Sequence, residues 1–151
     1  MSVELPFAPV DAVIRRHAGS LRVSSEATEE LARRIQEHGA MVATEAADRA
    51  TEEGRKTLQV GDFETDMDTE TDPELPVAPV DRIARLDIDE RYRVSMDARI
   101  LLAHILEMYA GRVAAAAAVL ARHAGRRTIT LSDVETYFEL EPYYSTGRDP
   151  S

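Results

Sequence analysis

Carboxylates occupy every second position of the stretch DFETDMDTETDPE, residues 62–74, and carboxylates are potential ligands for divalent cations. A calcium-binding loop also requires a glycine and a fixed ligand spacing, and this stretch has neither. Most of the acids alternate with Thr, so the stretch offers no apolar face for a half-buried strand. Like charges at this density are typical of a solvated, extended segment. No metal site is predicted here.

Other residues that could support catalysis are sparse and scattered. The four histidines show no spacing typical of metal ligands: His17, His38, His104 and His123. The chain has no Cys, which excludes disulfides and Cys-based zinc sites. It also has no glycine-rich phosphate loop and no nucleophile motif. We therefore expect a protein that is not an enzyme, with no cofactor and no small-molecule substrate.

The charge composition is unusual for a chain of 151 residues that is 44% hydrophobic. The net charge is −10, yet 17 of the 18 basic residues are Arg and only Lys56 is Lys. The acidic stretch holds seven of the 28 acids, so the other 138 residues carry 18 − 21 = −3. This charge either serves ordinary solubility or adapts the protein to molar salt, and the bias towards Arg favours adaptation. No apolar run approaches the length of a membrane span, so we expect a cytoplasmic protein without a membrane partner.

An internal repeat divides the chain into two similar units. Residues 4–11, ELPFAPVD, return as ELPVAPVD at an offset of 70. Arg22-Val-Ser24 returns as Arg93-Val-Ser95, and the segment GRKT that begins at Gly54 returns as GRRT at Gly125, both at an offset of 71. Matches in the same order at nearly the same spacing indicate two copies of one structural unit, with a one-residue insertion in the second copy.

Each unit is predicted to contain a short helix, a long helix and a short helix. The Pro-containing motif begins the first helix, which ends at Gly19 in unit one. Ser24 and Ser95 are predicted N-caps of the long helices, and Gly54 and Gly125 fit the positions just beyond their C-termini. About 28 residues at 1.5 Å per residue give a length of roughly 40 Å. A helix this long cannot bury its apolar stripe within one small unit, so the two long helices are expected to cross.

The third helices are predicted from shorter patterns. In unit two, Ser132 and Glu135 form a capping-box pattern, and Val134 and Phe138 follow on one face. In unit one the matching segment runs from Asp62 to about residue 69, which places a third helix within the acidic stretch. Residues 70–73 would then be an acidic linker.

This arrangement, with RVS before each long helix and GRKT or GRRT after it, resembles the histone fold. The motifs ELPFAPV and GRKTLQVGD of unit one, with ELPVAPV and ARHAGRRTITLSD of unit two, are similar to those of archaeal histones. With the acidic, Arg-rich composition, the chain resembles the fused, two-fold histone of salt-loving archaea. The resemblance implies an all-α fold with two tandem histone folds packed as an intramolecular pseudodimer. Its expected parts are histone fold 1 (1–69), the linker (70–73), histone fold 2 (74–141) and a C-terminal tail (142–151).

The resemblance also implies where double-stranded DNA would bind. Head-to-tail pairing places the loop before one long helix beside the loop after the other, so Arg22 should lie near Arg127 and Thr128, and Arg93 near Lys56 and Thr57. In the family these paired loops hold phosphates, and the Arg of RVS enters the minor groove. An Arg in a narrow minor groove gains from its negative potential without reading much sequence. The structural alternative is that these are ordinary loop arginines. Further DNA contacts are expected from the first helices: Arg15, Arg16 and Arg82.

Other positions match structural and assembly residues of the family. Arg55 with Asp62, and Arg126 with Asp133, resemble its Arg–Asp clamp between the second loop and the third helix. Family members stack end to end, with a His three residues before the clamp Arg reaching an Asp of the neighbouring pair. Unit two retains both residues, as His123 and Asp133, whereas unit one has Glu52 in the place of the His. Two chains are therefore expected to associate through the second histone fold.

Two functions are compatible with these observations. The first is a histone-like DNA-binding protein of the nucleoid, making largely sequence-independent contacts. The second is a histone-fold module that regulates transcription through interactions, with little direct DNA binding. If about six phosphates are neutralised, affinity for DNA falls by roughly five decades for each tenfold rise in salt. Binding is therefore expected to be weak at high salt.

Overall fold

The computed structural model describes residues 2–65, 67 and 69–147, and in them the chain forms five α-helices and four two-residue strands. Unit one contains α1 (Phe7–Ala18), β1 (Arg22–Val23), α2 (Ser25–Glu52), β2 (Thr57–Leu58) and a 3-10 helix (Val60–Phe63). Unit two contains α3 (Val77–Ala84), β3 (Arg93–Val94), α4 (Met96–His123), β4 (Thr128–Ile129) and α5 (Leu131–Gly147).

The long helices begin and end where the sequence predicts. The Ser24 side chain accepts a hydrogen bond from the N–H of Ala27, and Ser95 accepts one from Ala98, both at 3.1 Å. Each helix is 28 residues long. Gly54 and Gly125 lie just beyond their C-termini with φ of 75°, a left-handed conformation that glycine adopts without strain.

The two units share one hydrophobic core, which confirms the predicted pseudodimer. Helix α1 of unit one packs mainly on α4 of unit two, and α3 of unit two packs on both α2 and α4. The core is aliphatic and rich in Ala, and its largest fully buried side chains come from both units. Neither unit could bury its own long helix alone, so the fold depends on their exchange of contacts.

The long helices pack against each other near their midpoints. His38 of α2 and Tyr109 of α4 are equivalent positions, 71 residues apart, and their rings stack with centroids 4.0 Å apart and an interplanar angle of 6°. The pseudo-two-fold axis that relates the units therefore runs between these two rings. Burial raises the pKa of Tyr109 to about 12, and burial lowers the pKa of His38, with a smaller contribution from the charge of Arg112.

Helix α4 is long and apolar enough to cross a membrane by length and composition alone, with a mean hydropathy of 1.4 in its most apolar window. The expectation that no segment has this length and apolarity is therefore wrong. Half of that window is buried inside the protein, because α4 is the central helix of the core. Its apolarity is explained by contacts with α1, α3 and α5.

The predicted third helix of unit one is wrong. Only Val60–Phe63 is helical, as a single 3-10 turn, and the next residue, Glu64, adopts a left-handed conformation with φ of 51°. Residues 65, 67 and 69 are not helical either, and Asp66 and Asp68 lie outside the described residues. The physical reason lies in the acidic stretch, where Asp and Thr are poor helix formers and the like charges would repel one another at helical spacing.

The third helix of unit two is longer than predicted. Helix α5 continues through Pro142 to Gly147, into the segment expected to be a C-terminal tail. Residues 148–151 of that expected tail lie outside the described residues. The boundary predicted at residue 141 therefore does not coincide with a helix end.

Candidate nucleic-acid interface

The loop before α2 pairs with the loop after α4 as two short parallel strands. Arg22 lies opposite Thr128, and Val23 lies opposite Ile129. The Arg22 N–H donates to the carbonyl of Arg127 at 2.9 Å, and the Ser24 N–H donates to Ile129 at 3.0 Å. These backbone bonds fix the backbone of Arg22 next to Arg127 and Thr128.

The same arrangement occurs at the other end of the protein. Thr57 lies opposite Arg93, and Leu58 lies opposite Val94. The Arg93 N–H donates to the carbonyl of Lys56 at 2.9 Å, and the Ser95 N–H donates to Leu58 at 3.0 Å. Leu58 and Val94 are buried, and so is Ile129 at the first end, so apolar side chains anchor both loop pairs to the core.

The cations of these loops are exposed to solvent. Arg22, Arg93, Arg127 and Lys56 all have exposed side chains. Within the part of the chain that the structure describes, no carboxylate oxygen lies within 4.0 Å of any of these four charged groups. Lys56 has its Nζ 5.7 Å from the ring centroid of Tyr92, a cation–π distance. The half-buried Thr57 and Thr128 place a hydroxyl group beside each cluster.

The first-helix arginines are in a different environment. Arg15 donates to Asp11 at 2.7 Å, and Arg82 donates to Glu4 at 2.8 Å. Arg16 lies between two carboxylates, 3.8 Å from Glu107 and 4.0 Å from Glu74. These three arginines therefore have carboxylate neighbours within the chain, whereas the cations of the paired loops have none among the described residues.

An Arg–Asp pair supports the second loop of each unit. Both terminal nitrogens of Arg55 donate to the Asp62 carboxylate at 2.8 Å, and Asp62 also accepts from the Gln59 N–H. The hydrogen bond from Arg55 is the main reason that the pKa of Asp62 lies below its usual range. In unit two, Arg126 donates to Asp133 through one terminal nitrogen, Nη2.

The cap of α5 differs from the prediction. Asp133 accepts from the N–H of Thr130, the residue that precedes the helix, at 2.8 Å. Thr130 and Asp133 therefore hold the helix start, and the predicted capping box of Ser132 and Glu135 is wrong. The same bond occurs between Gln59 and Asp62 in unit one, so one carboxylate both holds the Arg and caps the following turn.

A family profile described as "Histone-like transcription factor (CBF/NF-Y) and archaeal histone" matches residues 3–65 and matches again at residues 73–136. The chain belongs to this family. Its members are structural DNA-binding proteins rather than enzymes. The two matched ranges correspond to the two units of the structure, so the protein contains two histone folds in one chain.

Individual relatives agree with this assignment. The chain is 51% identical over 61 residues to one of the subunits of the archaeal histone HAN1 from Thermococcus zilligii, covering 40% of this chain and 88% of that one. The crystal structure of the histone from Methanopyrus kandleri superposes with a TM-score of 0.67 at 26% identity, covering 87% of this chain and 91% of the other. A Thermus thermophilus protein, ttk003001566, shares the fold with a TM-score of 0.68 at 17% identity, over 91% and 98% of the two chains.

The histone folds differ at the ends of their long helices, where the predicted assembly residues lie. His123 and Glu52 are both exposed at equivalent positions. The Asp133 side chain is only 3% exposed, and its oxygens accept hydrogen bonds from Arg126 and Thr130. A His123 from a second chain would therefore meet an occupied carboxylate and would have to share it.

Sequence reasoning missed one cation at the histone-like interface. Arg122 is exposed in the last turn of α4, and its guanidinium would lie 3.4 Å from a Cβ added at Gly19, in the loop before β1. This places Arg122 at the same end as Arg22 and Arg127. The signal in the sequence was a cation in the last helical turn, four residues before Arg126.

Proposed function

We propose that this histone-fold protein is a DNA-binding chromatin protein that contacts the duplex largely without reading its sequence. The observation that carries the proposal is the presence of two paired loops, each holding an exposed RVS arginine beside a second cation and a threonine hydroxyl. Because backbone hydrogen bonds fix these loops, little backbone order has to be gained on binding.

Each group has a physical role in this proposal. Arg22 and Arg93 enter the minor groove, where the potential is most negative when the groove is narrow. Lys56 and Arg127 bind phosphates. The hydroxyl groups of Thr57 and Thr128 and backbone N–H groups of the same loops donate further hydrogen bonds to the DNA backbone. None of these contacts depends on base identity, so affinity should vary little between sequences.

The first helices contribute less than the loops in this proposal. Arg15, Arg16 and Arg82 would have to exchange an intramolecular carboxylate for a DNA phosphate. The exchange replaces one ion pair with another, so its net gain is small for exposed groups. We assign these three arginines a secondary role.

We further propose that the protein belongs to the halophilic two-fold type and acts on the chromosome in a salt-rich cytoplasm. Its net charge of −10 and its 17 Arg against one Lys support this assignment. At about 1 M salt the Debye length is about 3 Å, so repulsion between the acidic surface and DNA is screened. The same salt removes most of the gain from counterion release, so binding is weak under these conditions.

The test is DNA binding by the double variant Arg22→Ala/Arg93→Ala, measured by fluorescence anisotropy with mixed-sequence duplex at matched KCl. We expect weaker binding to every sequence and a salt slope reduced by up to about two. Arg112→Ala is the control, because it removes an exposed positive charge from the middle of α4 without touching either loop pair. Unchanged affinity in a correctly folded double variant would exclude the loops as the DNA site.

The second candidate function is a transcription-regulatory interaction module with little direct DNA binding. The observation in its favour is that the first-helix arginines are paired with carboxylates within the chain. This function predicts that even wild-type protein binds duplex no better than the double variant does. The same titration therefore separates the two functions.

We also propose that two chains associate through the second histone fold, with His123 meeting the Arg126–Asp133 pair of the other chain. Support comes from the difference between the units, because unit one has Glu52 in this place and a single 3-10 turn where unit two has α5. Association through unit one would set Glu52 against Asp62, and like charges repel. Growth should therefore stop at a closed two-chain assembly.

Light scattering in molar KCl tests this assembly. Wild-type protein at tens of micromolar should have the mass of two chains, and His123→Glu should have the mass of one. Glu52→Gln is the matched control in unit one and should keep the two-chain mass. A His123→Glu variant that assembles as well as wild type would show that His123 does not direct the association.

A further inference from the structure

The two loop pairs differ sharply in their carboxylates, although their cations are similar in number. End A consists of residues 18–23 and 121–128, which contain four Arg and no acid, for a formal charge of +4. End B consists of the equivalent loops, residues 84–94 and 50–57, which contain five basic and five acidic residues, for a charge of 5 − 5 = 0. The strands pair in the same register at both ends, so the difference lies in the residues around the paired strands.

Two features of end B produce the additional negative charge. Its first loop is longer, with eleven residues from 84 to 94 against six from 18 to 23, and it carries three acids: Asp87, Asp89 and Glu90. Its second loop has Glu52 and Glu53 where end A has His123 and Ala124. All five carboxyl-bearing residues are exposed to solvent.

The cations of end B are also more fully engaged within the protein. Arg91 donates to Asp89 at 3.0 Å, and Arg85 donates both to Asp81 and to the carbonyl of Tyr92. The hydrogen bond from Arg91 lowers the pKa of Asp89, and the charge of nearby Lys56 adds to the effect. At end B, Arg93 is therefore the one arginine without a carboxylate partner among the described residues.

End A presents a concentrated positive surface by contrast. Arg22, Arg122 and Arg127 are exposed and have no carboxylate within 4.0 Å in the described part of the chain. The Arg122 guanidinium reaches the loop at Gly19, so all three charges lie at one end. Arg126 is held by Asp133, as Arg55 is held by Asp62 at end B, so the clamps do not account for the difference.

We propose that the two ends bind DNA unequally, with end A holding the duplex and the acidic loop of end B keeping that end away from the phosphates. The inference rests on the proposed DNA-binding function and ranks the two sites within it. At 0.15 M salt the Debye length is about 8 Å, so the carboxylates of end B act on any phosphate that approaches Arg93. Because molar salt shortens this range to about 3 Å, the inequality is largest at low KCl.

The experiment compares matched single variants in the full chain, with duplex DNA at 0.2 M and 1 M KCl. At 0.2 M, Arg22→Ala should weaken binding by roughly fivefold or more and Arg93→Ala by no more than about twofold. The variant Asp87→Asn/Asp89→Asn/Glu90→Gln should bind more tightly than wild type at 0.2 M KCl. In that background, Arg93→Ala should become as damaging as Arg22→Ala. At 1 M the two single variants should differ less.

A second triple variant controls for net charge. Glu45→Gln/Asp72→Asn/Glu139→Gln removes three exposed acids that lie outside the residues of both ends. It should tighten binding less than the end B triple variant does. Equal losses from Arg22→Ala and Arg93→Ala, or equal gains from the two triple variants, would overturn the inequality while leaving DNA binding intact. Absence of binding by wild type at any KCl concentration would instead overturn the proposed function itself.

Discussion

Replacing Gly39 with Ala should destabilise the protein, because this glycine lies where the two units pack together. A Cβ added at Gly39 would lie 2.7 Å from Cγ2 of Ile83 and 3.1 Å from Cδ1 of Leu106. Both neighbours belong to the other unit and are fully buried, so neither can rotate into solvent. The substitution therefore reports directly on contact between the units.

The expected size follows from two opposing effects at Gly39. Ala is favoured over Gly in a helix by about 1 kcal/mol, whereas adding a methyl group to a packed core costs about 1–3 kcal/mol. A carbon–carbon distance of 2.7 Å is far below ordinary contact, so the cost lies at the upper end of that range. The net loss should be about 2 kcal/mol, or roughly 4–8 °C in Tm for a chain of this size. Thermal unfolding followed by circular dichroism at fixed molar KCl measures this loss.

Gly111→Ala is the matched control in the other long helix. Its added Cβ would also lie 2.7 Å from a neighbour, the ring of His17, but that side chain is exposed and can move away. The helix preference for Ala should then dominate, leaving stability unchanged or higher by up to about 1 kcal/mol. If Gly39→Ala proved as stable as wild type, or if both variants lost equal stability, the described packing between the units would be wrong.

Three further predictions concern the fold and its clamps. Residues 1–70 and 74–151, expressed separately, should each lose most of their helicity and regain it on mixing; a fragment as stable as the whole chain would contradict a shared core. Ser24→Ala and Ser95→Ala should each lower the unfolding free energy by about 1 kcal/mol in urea titrations at constant KCl, and no loss would argue against the caps. The folded-state pKa of Asp62 is depressed, so the stability that its carboxylate contributes is present above the unfolded pKa and is lost as pH falls through the folded pKa. Asp62→Asn should therefore flatten the dependence of the unfolding free energy on pH in the acid range. An unchanged pH profile would argue against the clamp.

The parts of the fold that the sequence predicted depend on local signals. Ser24 and Ser95 hold the helix starts through bonds to residues three positions away, and Gly54 supplies a conformation that other residues rarely adopt. The repeat predicted two equivalent units, and the pairing of their loops was implied by the resemblance to archaeal histones. The prediction of a third helix in unit one was wrong for a local reason as well. It relied on the similarity of this segment to the one with Val134 and Phe138 in unit two, although Asp and Thr have poor helix propensity.

Contacts between distant residues could not be predicted in this way. The stacking of His38 on Tyr109 depends on where the long helices cross, which neither ring indicates alone. The partner of Arg82 is Glu4, 78 residues away, and Arg16 meets Glu107 of the other unit. Whether a surface arginine is free for DNA is therefore a property of the folded chain. For this reason the sequence could suggest the first-helix arginines as DNA contacts but could not show that they have carboxylate partners within the chain.

The most direct test of DNA binding through the paired loops is the affinity of wild-type protein for mixed-sequence duplex. It should be measured across a KCl series, from the lowest salt at which the chain is folded up to molar salt. Binding should be measurable at low KCl, and a plot of log affinity against log KCl should fall with a slope of roughly −3 to −5. A slope of about −3 corresponds to the three arginines of end A that have no carboxylate partner among the described residues, and a slope of about −5 corresponds to the cations of both ends together. Absence of binding at low KCl, or an affinity that does not change with KCl, would contradict a histone-like protein that holds DNA through its paired loops.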